Sequence, residues 1–394
     1  MLSGGTSAQH DPSLFALKGG LVLDGTLVPG ALVVRGGRIT EVIRDLAGAS
    51  LPPTVVEGHV ISPGFVDLQV NGAFGREVAD DPEAITHIAG RLPSTGVTAF
   101  LPTLVSSRAE IYPRACEAFL ASRRSVGALP LGMHLEGPFL SLRRAGAHRA
   151  AAIKGAADDL FDVFCDHDAL GLVTLAPEAP GGLARISKLC ARGVLVSLGH
   201  TDASYEEFVQ GIEAGARMAT HLFNAMSEFN HRAPGAVGAA LVDDRVVAGL
   251  IADGVHSHPA AVRLALRAKG PSRIALVTDA IAGAGMKPGD YRLDGQDIVV
   301  DGTVAKLPNG RLAGSILTMD QAVRNVVEWT HCSVAEACAM ASEVPARLLR
   351  LSSKGSLRAG FDADVVVLDR NLTVSATFRE GRCLFGRSGG PATS

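Results

Sequence analysis

A chain of 394 residues is long enough for one large domain with a smaller one beside it. With 47% hydrophobic and 20% charged residues it reads as an ordinary globular protein, and a net charge of -3 gives no electrostatic reason to bind nucleic acid or an anionic membrane. No apolar run reaches the ~18 residues needed to span a bilayer. The start "MLSGGTSAQHDPS" lacks the charged and apolar regions of a secretory signal, and six cysteines without CxxC or CxxH spacing read as reduced thiols of a cytoplasmic protein.

Residues 1–12 and the tail "GRSGGPATS" are polar and rich in small residues, and are expected to be loose. From Lys18 to Val60 short strands alternate with turns: "GLVLDG", "GALVVRGGRITEVI", "VVEGHVISPG". The pairs Asp24-Gly25 and Gly36-Gly37 suit hairpins. A similar pattern returns near the other end, in "GSLRAGFDADVVVLDRNLTVSATFREGRCLFG". The two β-rich ends predict one small discontinuous β-sandwich domain, residues 1–60 with 357–394, flanking a core of 61–356.

Eight strands are predicted in that core: 64–70, 97–103, 131–136, 171–178, 194–200, 216–223, 246–253 and 273–279. Helical stretches separate most of them. In the fifth unit, Ser204 and Glu207 form a capping box. Tyr205, Phe208, Val209 and Ile212 then make one apolar helix face, and Gly215 is placed to end it. About 30 residues per βα unit predicts a (β/α)8 TIM-like barrel. An open doubly wound sheet is the alternative. Against it, no Gly-rich phosphate loop follows the first strand, and polar residues cluster at the ends of many strands. Beyond the eighth strand, 291–315 reads as an inserted hairpin and 315–330 as a helix.

Glu136 ends the third strand, His200 ends the fifth, and His221 and Asp279 lie near the ends of the sixth and eighth. In a closed barrel these ends converge on one mouth. Two imidazoles and a carboxylate match a three-ligand zinc-type site with a fourth position open. A divalent cation there would lower the pKa of water toward ~7. Asp279, outside the ligand set, could take and return a proton. Each residue alone has a plainer use. A lone strand-end histidine is usually a hydrogen-bonded core or loop residue, Glu136 suits a cap or ion pair, and Asp279 suits an Asx turn. Their coincidence at four strand ends favours a site. His134 alternates away from Leu135 and reads as structural.

With these residues in hand, the chain resembles the amidohydrolase superfamily over nearly its whole length, and closely the N-acetylglucosamine-6-phosphate deacetylases. The resemblance rests on "PGFVDLQVNGAFG" (63–75), "HLEGPFL" (134–140), "GAHRA" (146–150), "LGHTDASY" (198–205), "THLFNAMSEFNHRAPG" (220–235), "IADGVHSHP" (251–259), "LVTDAIAGAG" (276–285) and "LAGSILTMDQA" (312–322). The first strand departs from the wider superfamily. Many members carry His-x-His there for a second metal, whereas this chain has Gln69-Val70-Asn71. Amides are poor transition-metal ligands beside imidazole.

The resemblance therefore implies one divalent metal ion per subunit, held by Glu136, His200 and His221. The ligand set suits zinc; iron, cobalt and manganese also fill such sites. Gln69 and Asn71 would hydrogen-bond the metal's water, or satisfy backbone at the mouth. Asp279 is the implied general base and then acid. His148, with Ala147 beside it, would hydrogen-bond the acetyl carbonyl, although Arg149 follows where Asn is common in relatives. Arg232 and His256 would meet the phosphate, with backbone N–H groups of Asn224 and Ala225 at the start of a helical turn. Read alone, Arg232 equally suits a surface or interface ion pair. Leu312, Ala313 and Gly314 match the segment that closes over the sugar. The implied reaction removes the acetyl group of N-acetyl-D-glucosamine 6-phosphate in a homodimer. Two rivals stay open: the galacto epimer or another N-acyl substrate, and an inactive sugar-phosphate-binding barrel.

Overall fold

The computed structural model describes residues 13–387. The expectation of loose termini falls on stretches that, save Gly386 and Arg387, lie outside the described residues. Strands β1 (Leu14–Leu23), β2 (Thr26–Arg35), β3 (Arg38–Ile43) and β4 (Val55–Pro63) precede the core strands. Those are β5 (Phe65–Val70), β6 (Val97–Val105), β7 (Met133–Glu136), β8 (Leu170–Leu175), β9 (Leu195–Leu198), β10 (Met218–Ala219), β11 (Val247–Leu250) and β12 (Ile274–Leu276).

Strand β6, VTAFLPTLV, is buried at every position, as a parallel strand covered on both faces must be. Strands β5 to β12 pair in chain order and in parallel. The ring closes where Val70 bridges Ala280 in parallel. At this seam Asn71 N–H donates to Ala280 O at 2.9 Å and Asp279 N–H to Gln69 O at 3.0 Å. Asp67 reinforces it by accepting from the Thr278 hydroxyl at 2.6 Å. Sequential order and closure exclude the open doubly wound sheet.

The fifth βα unit shows why the helices lie where they do. The helix Tyr205–Glu213 starts at Ser204, whose side chain accepts from Glu207 N–H while Glu207 reaches back to the Ser204 N–H. Phe208 and Ile212 are buried against the barrel. Ser204 itself is exposed. Ser204→Ala should therefore cost about 1 kcal/mol, read as a lower denaturant midpoint with an unchanged m-value.

The sixth strand is shorter than expected. Pairing stops at Ala219, because His221, Phe223 and Ala225 take left-handed φ values of 31°, 79° and 50°. His200 (φ 48°) and Asp279 (φ 50°) also leave the extended region just past β9 and β12. Such φ values are costly for residues with a Cβ and cluster at functional sites.

Beneath the mouth the barrel is filled by a polar layer. His134 Nε2 lies 2.8 Å from Thr174 Oγ1 and its Nδ1 3.1 Å from Leu68 O. Burial pushes this imidazole down to about 4, which keeps it neutral. Its role is packing, as its alternation with Leu135 suggested.

After β12 come β13 (Gly289–Leu293), β14 (Gln296–Val300) and β15 (Ala305–Lys306), an antiparallel insertion, then the helix Met319–Thr330. Strands β16 (Val365–Leu368), β17 (Val374–Arg379) and β18 (Arg382–Gly386) return to the first sheet. Its order is β18-β17-β16-β4-β1-β2-β3. Two strands separate β1 from β17, yet Phe15 and Phe378 stack with ring centroids 5.4 Å apart. A flat sheet would hold those strands about 14 Å apart. The expected sandwich is thus one sheet rolled onto itself, with Ala363 N–H donating to Gly37 O at the β2–β3 turn (2.9 Å).

Candidate active site

Three donors meet at the mouth. Glu136 Oε1 is 3.1 Å from His200 Nε2 and 2.9 Å from His221 Nε2, and the two nitrogens are 3.1 Å apart. All three side chains are buried. His148 forms an overlapping set with Glu136 and His200, so His148 and His221 are both placed as third members. Hydrogen bonding sets them apart. Ser106 N–H donates to His148 Nδ1 at 3.1 Å, so Nδ1 carries a lone pair and the neutral ring has its proton on Nε2. That Nε2 lies 3.8 Å from Glu136 Oε2 and presents a proton, not a lone pair, to the mouth. In His200 the logic reverses. Its Nδ1 donates to Arg144 O at 2.9 Å, which leaves Nε2 with a lone pair toward Glu136.

An anionic oxygen and imidazole lone pairs about 3 Å apart need positive charge among them. A tetrahedral divalent ion with ligands near ~2.1 Å sets its ligand atoms roughly 3.4 Å apart, so the donors fit one with a small outward adjustment. Burial works against charge on His221, yet its hydrogen bond to Glu136, the Glu136 charge and the Asp279 charge hold its pKa above the ordinary value. Glu136 is pulled well below the usual carboxylate range: burial opposes this, and the hydrogen-bonding contacts of His200 and His221, with the electrostatic effect of His200 and His148, outweigh it.

Gln69 and Asn71 do more than satisfy backbone. Gln69 Nε2 donates to Glu136 Oε1 (3.0 Å) and Asp279 Oδ1 (2.9 Å), and Asn71 Nδ2 donates to Asp279 Oδ1 (2.7 Å). The amide oxygens Gln69 Oε1 and Asn71 Oδ1 are buried without a hydrogen-bond partner among the described residues. Burial first, and then the Glu136 charge, raise Asp279 to about 6.

The mouth opens into a cavity of about 470 Å³. Asn71, Ala147, His148, Asn224, Ala225, His256, Leu312, Ala313 and Gly314 line it along with the metal-type donors and Asp279. His256 Nδ1 is 2.7 Å from Asp253 Oδ2, and Asp253 Oδ1 accepts the N–H groups of Val255 and His256. One expectation changes, and one residue lies apart from the others. No helix follows His221 directly; the next begins at Gly235, and Asn224 N–H is taken by His221 O at 2.9 Å. Arg232 is exposed on the 230–233 turn, outside its own chain's cavity.

Sequence reasoning missed Ser106, Asp253 and the arginines Arg143, Arg144 and Arg311 of the cavity wall. Asp253 had a signal, since Asp two and three residues before its N–H partners is an Asx-turn pattern. Ser106 had none, because its role depends on a loop 42 residues away.

A parallel barrel with a Glu-His-His donor set at its C-terminal mouth defines a class of metal-dependent hydrolases. A model of the Amidohydrolase family matches residues 60–384, and the chain belongs to that family. An N-acetylglucosamine-6-phosphate deacetylase of Lysinibacillus sphaericus is 38% identical over 358 residues, 89% of this chain and 92% of its own. The Homo sapiens enzyme of that name is 40% identical over 402 residues, 98% and 94%. Among solved structures, a Mycobacterium smegmatis N-acetyl-D-glucosamine-6-phosphate deacetylase variant, in complex with N-acetyl-D-glucosamine-6-phosphate, superposes with a TM-score of 0.89. It is 33% identical, with 94% of this chain and 99% of that one covered. No helix among the described residues is long and apolar enough to cross a membrane.

Proposed function

We propose that the chain hydrolyses the acetamide of N-acetyl-D-glucosamine 6-phosphate to D-glucosamine 6-phosphate and acetate. The observation behind this reading is the convergence of Glu136, His200, His221, Asp279 and the His148 Nε2–H on one cavity. Glu136, His200 and His221 would hold a divalent cation; two imidazoles and a carboxylate suit zinc, and also iron, cobalt or manganese. Such an ion supplies Lewis acidity, which acidifies a water molecule and polarises the acyl oxygen.

The remaining chemistry belongs to the side chains. Asp279 accepts the proton from the attacking water and returns it to the leaving amine. Both amides from β5 and its end, Gln69 and Asn71, bond to Asp279 Oδ1, so Oδ2 is the oxygen that handles the proton. His148 donates Nε2–H to the acyl oxygen as charge grows there. His256, its ring fixed by Asp253, binds the phosphate, with Asn224 and Ala225 nearby. Leu312, Ala313 and Gly314 cover the sugar. A homodimer belongs to the proposal: Arg232 can reach a phosphate only across an interface, and Phe229 and Val242 near it in sequence are 60% and 62% exposed. Six free cysteines support a cytoplasmic setting.

The test is acetate release from the sugar phosphate by chelated protein, before and after a divalent ion is restored. His256→Ala should lower kcat/KM about 10- to 100-fold on the phosphorylated sugar, the worth of one charge-assisted hydrogen bond. It should leave the unphosphorylated sugar unaffected. Equal losses on both would remove His256 from phosphate binding. The kcat/KM ratio for the galacto epimer separates that substrate from the gluco one. A metal-replete protein without turnover would favour the inactive binding barrel.

A further inference from the structure

The loop that holds His148 is gripped from outside the barrel. The β13–β14 hairpin turns at Leu293–Gln296, where Asp294 and Gly295 take φ values of 47° and 71°, as a tight two-residue turn requires. Leu293 lines the cavity. From this tip, contacts run to the chain on both sides of His148 and to the neighbour of its partner Ser106. Gln296 Nε2 donates to Ala147 O at 3.1 Å. Arg149 Nη1 lies 3.7 Å from Asp294 Oδ2. Ser107 Oγ donates to Asp294 Oδ1 at 3.4 Å. Gly295 N–H donates to Asp80 Oδ1 at 2.6 Å and ties the tip to the segment that follows β5.

Asp294 is 5% exposed, and its Oδ2 has no hydrogen-bond partner among the described residues. A carboxylate so buried is tolerated when a cation faces it, and Arg149 is that cation.

We infer that Asp294, Arg149 and Gln296 position His148, the hairpin tip bracketing that histidine and aiming its Nε2–H into the cavity. These three touch no reacting atom and act through His148, so the inference rests on the role given to His148 above. Ser106 N–H sets which nitrogen holds the proton; the bracket sets where the ring points.

Asp294→Asn and Gln296→Ala should each lower kcat about 10- to 100-fold, the scale of a small misplacement of a reacting group. KM should stay within about twofold, because neither residue is assigned a contact with the phosphate or the sugar. Exchanging the charges, Arg149→Asp with Asp294→Arg, should restore much of the loss of Arg149→Asp alone. In a His148→Ala background, Asp294→Asn and Gln296→Ala should cost nothing further. Histidine nitrogen NMR reads the bracket without turnover: the wild-type ring, held with Nδ1 on Ser106 N–H, should appear as a single Nε2–H tautomer, and either variant, by letting the ring swing off that N–H, should give an averaged signal. Losses that add fully to that of His148→Ala would overturn the inference. So would unchanged rates and unchanged NMR signals in both single variants. Gln296→Ala, which removes one neutral hydrogen bond, keeps the test open if the charge variants fold poorly. If the wild type releases no acetate, the substrate assignment falls, and the NMR comparison still upholds or overturns the bracket.

Discussion

Asp279→Asn is expected to lower kcat for acetate release by about 10²- to 10⁴-fold, the range of a lost general base. The substitution keeps the side chain's size. An Asn amide oxygen can still accept from Gln69 Nε2 and Asn71 Nδ2, as Asp279 Oδ1 does at 2.9 and 2.7 Å. It cannot take a proton. The variant should fold as well as the wild type, since burial and Glu136 already disfavour the Asp279 charge and raise its pKa from 3.8 to about 6. For a group raised on folding, the stabilising contribution is complete below 3.8 and is lost as pH climbs through about 6. Metal-free Asp279→Asn should therefore gain stability relative to metal-free wild type between pH 4 and 7, measured by denaturant midpoints. In the loaded enzyme the cation's charge lowers this pKa, so the acid limb of kcat/KM should lie at or below about pH 6. An Asp279→Asn enzyme with wild-type kcat would remove Asp279 from the chemistry.

Metal removal should abolish turnover, and its return should be linked to protons. Glu136 stays ionised across the working range. His221, whose pKa is raised by Glu136 and Asp279 against the effect of burial, holds a proton to higher pH than a free histidine. A protonated imidazole cannot ligate. Binding must therefore displace that proton, and apparent affinity should rise as pH increases through the raised His221 pKa. Calorimetric titration of chelated protein in buffers of different ionisation heat measures the protons released. A binding heat independent of the buffer would contradict the His221 assignment. Glu136→Gln removes the one anionic donor and should weaken binding roughly 10²-fold or more. Loading should raise the thermal midpoint of the wild type and leave that variant nearly unchanged.

The periodicity of strands and helices was readable because it records burial: apolar runs became the barrel strands, and Ser204 with Glu207 marked a helix start that the structure keeps. The hairpins at Asp24-Gly25 and Gly36-Gly37 were equally local. The strand ends bearing Glu136, His200, His221 and Asp279 were legible for the same reason, since a parallel barrel must bring its C-terminal ends together. What local pattern cannot hold is direction. Left-handed φ values at His200, His221 and Asp279 cut short the expected strands, and no nearby residue announces them. The proton placements on His148 and His200 turned on two hydrogen bonds, from Ser106 N–H and to Arg144 O, made by segments distant in the chain. Arg232 stood out by residue type, but only the fold showed that its turn lies outside its own chain's cavity. The grip of Asp294 and Gln296 on the His148 loop joins residues about 150 positions apart. Burial and turn chemistry are short-range properties and can be read from sequence. Proton placement and side-chain aim depend on partners that meet only when the barrel closes and its inserted hairpin lies over the mouth.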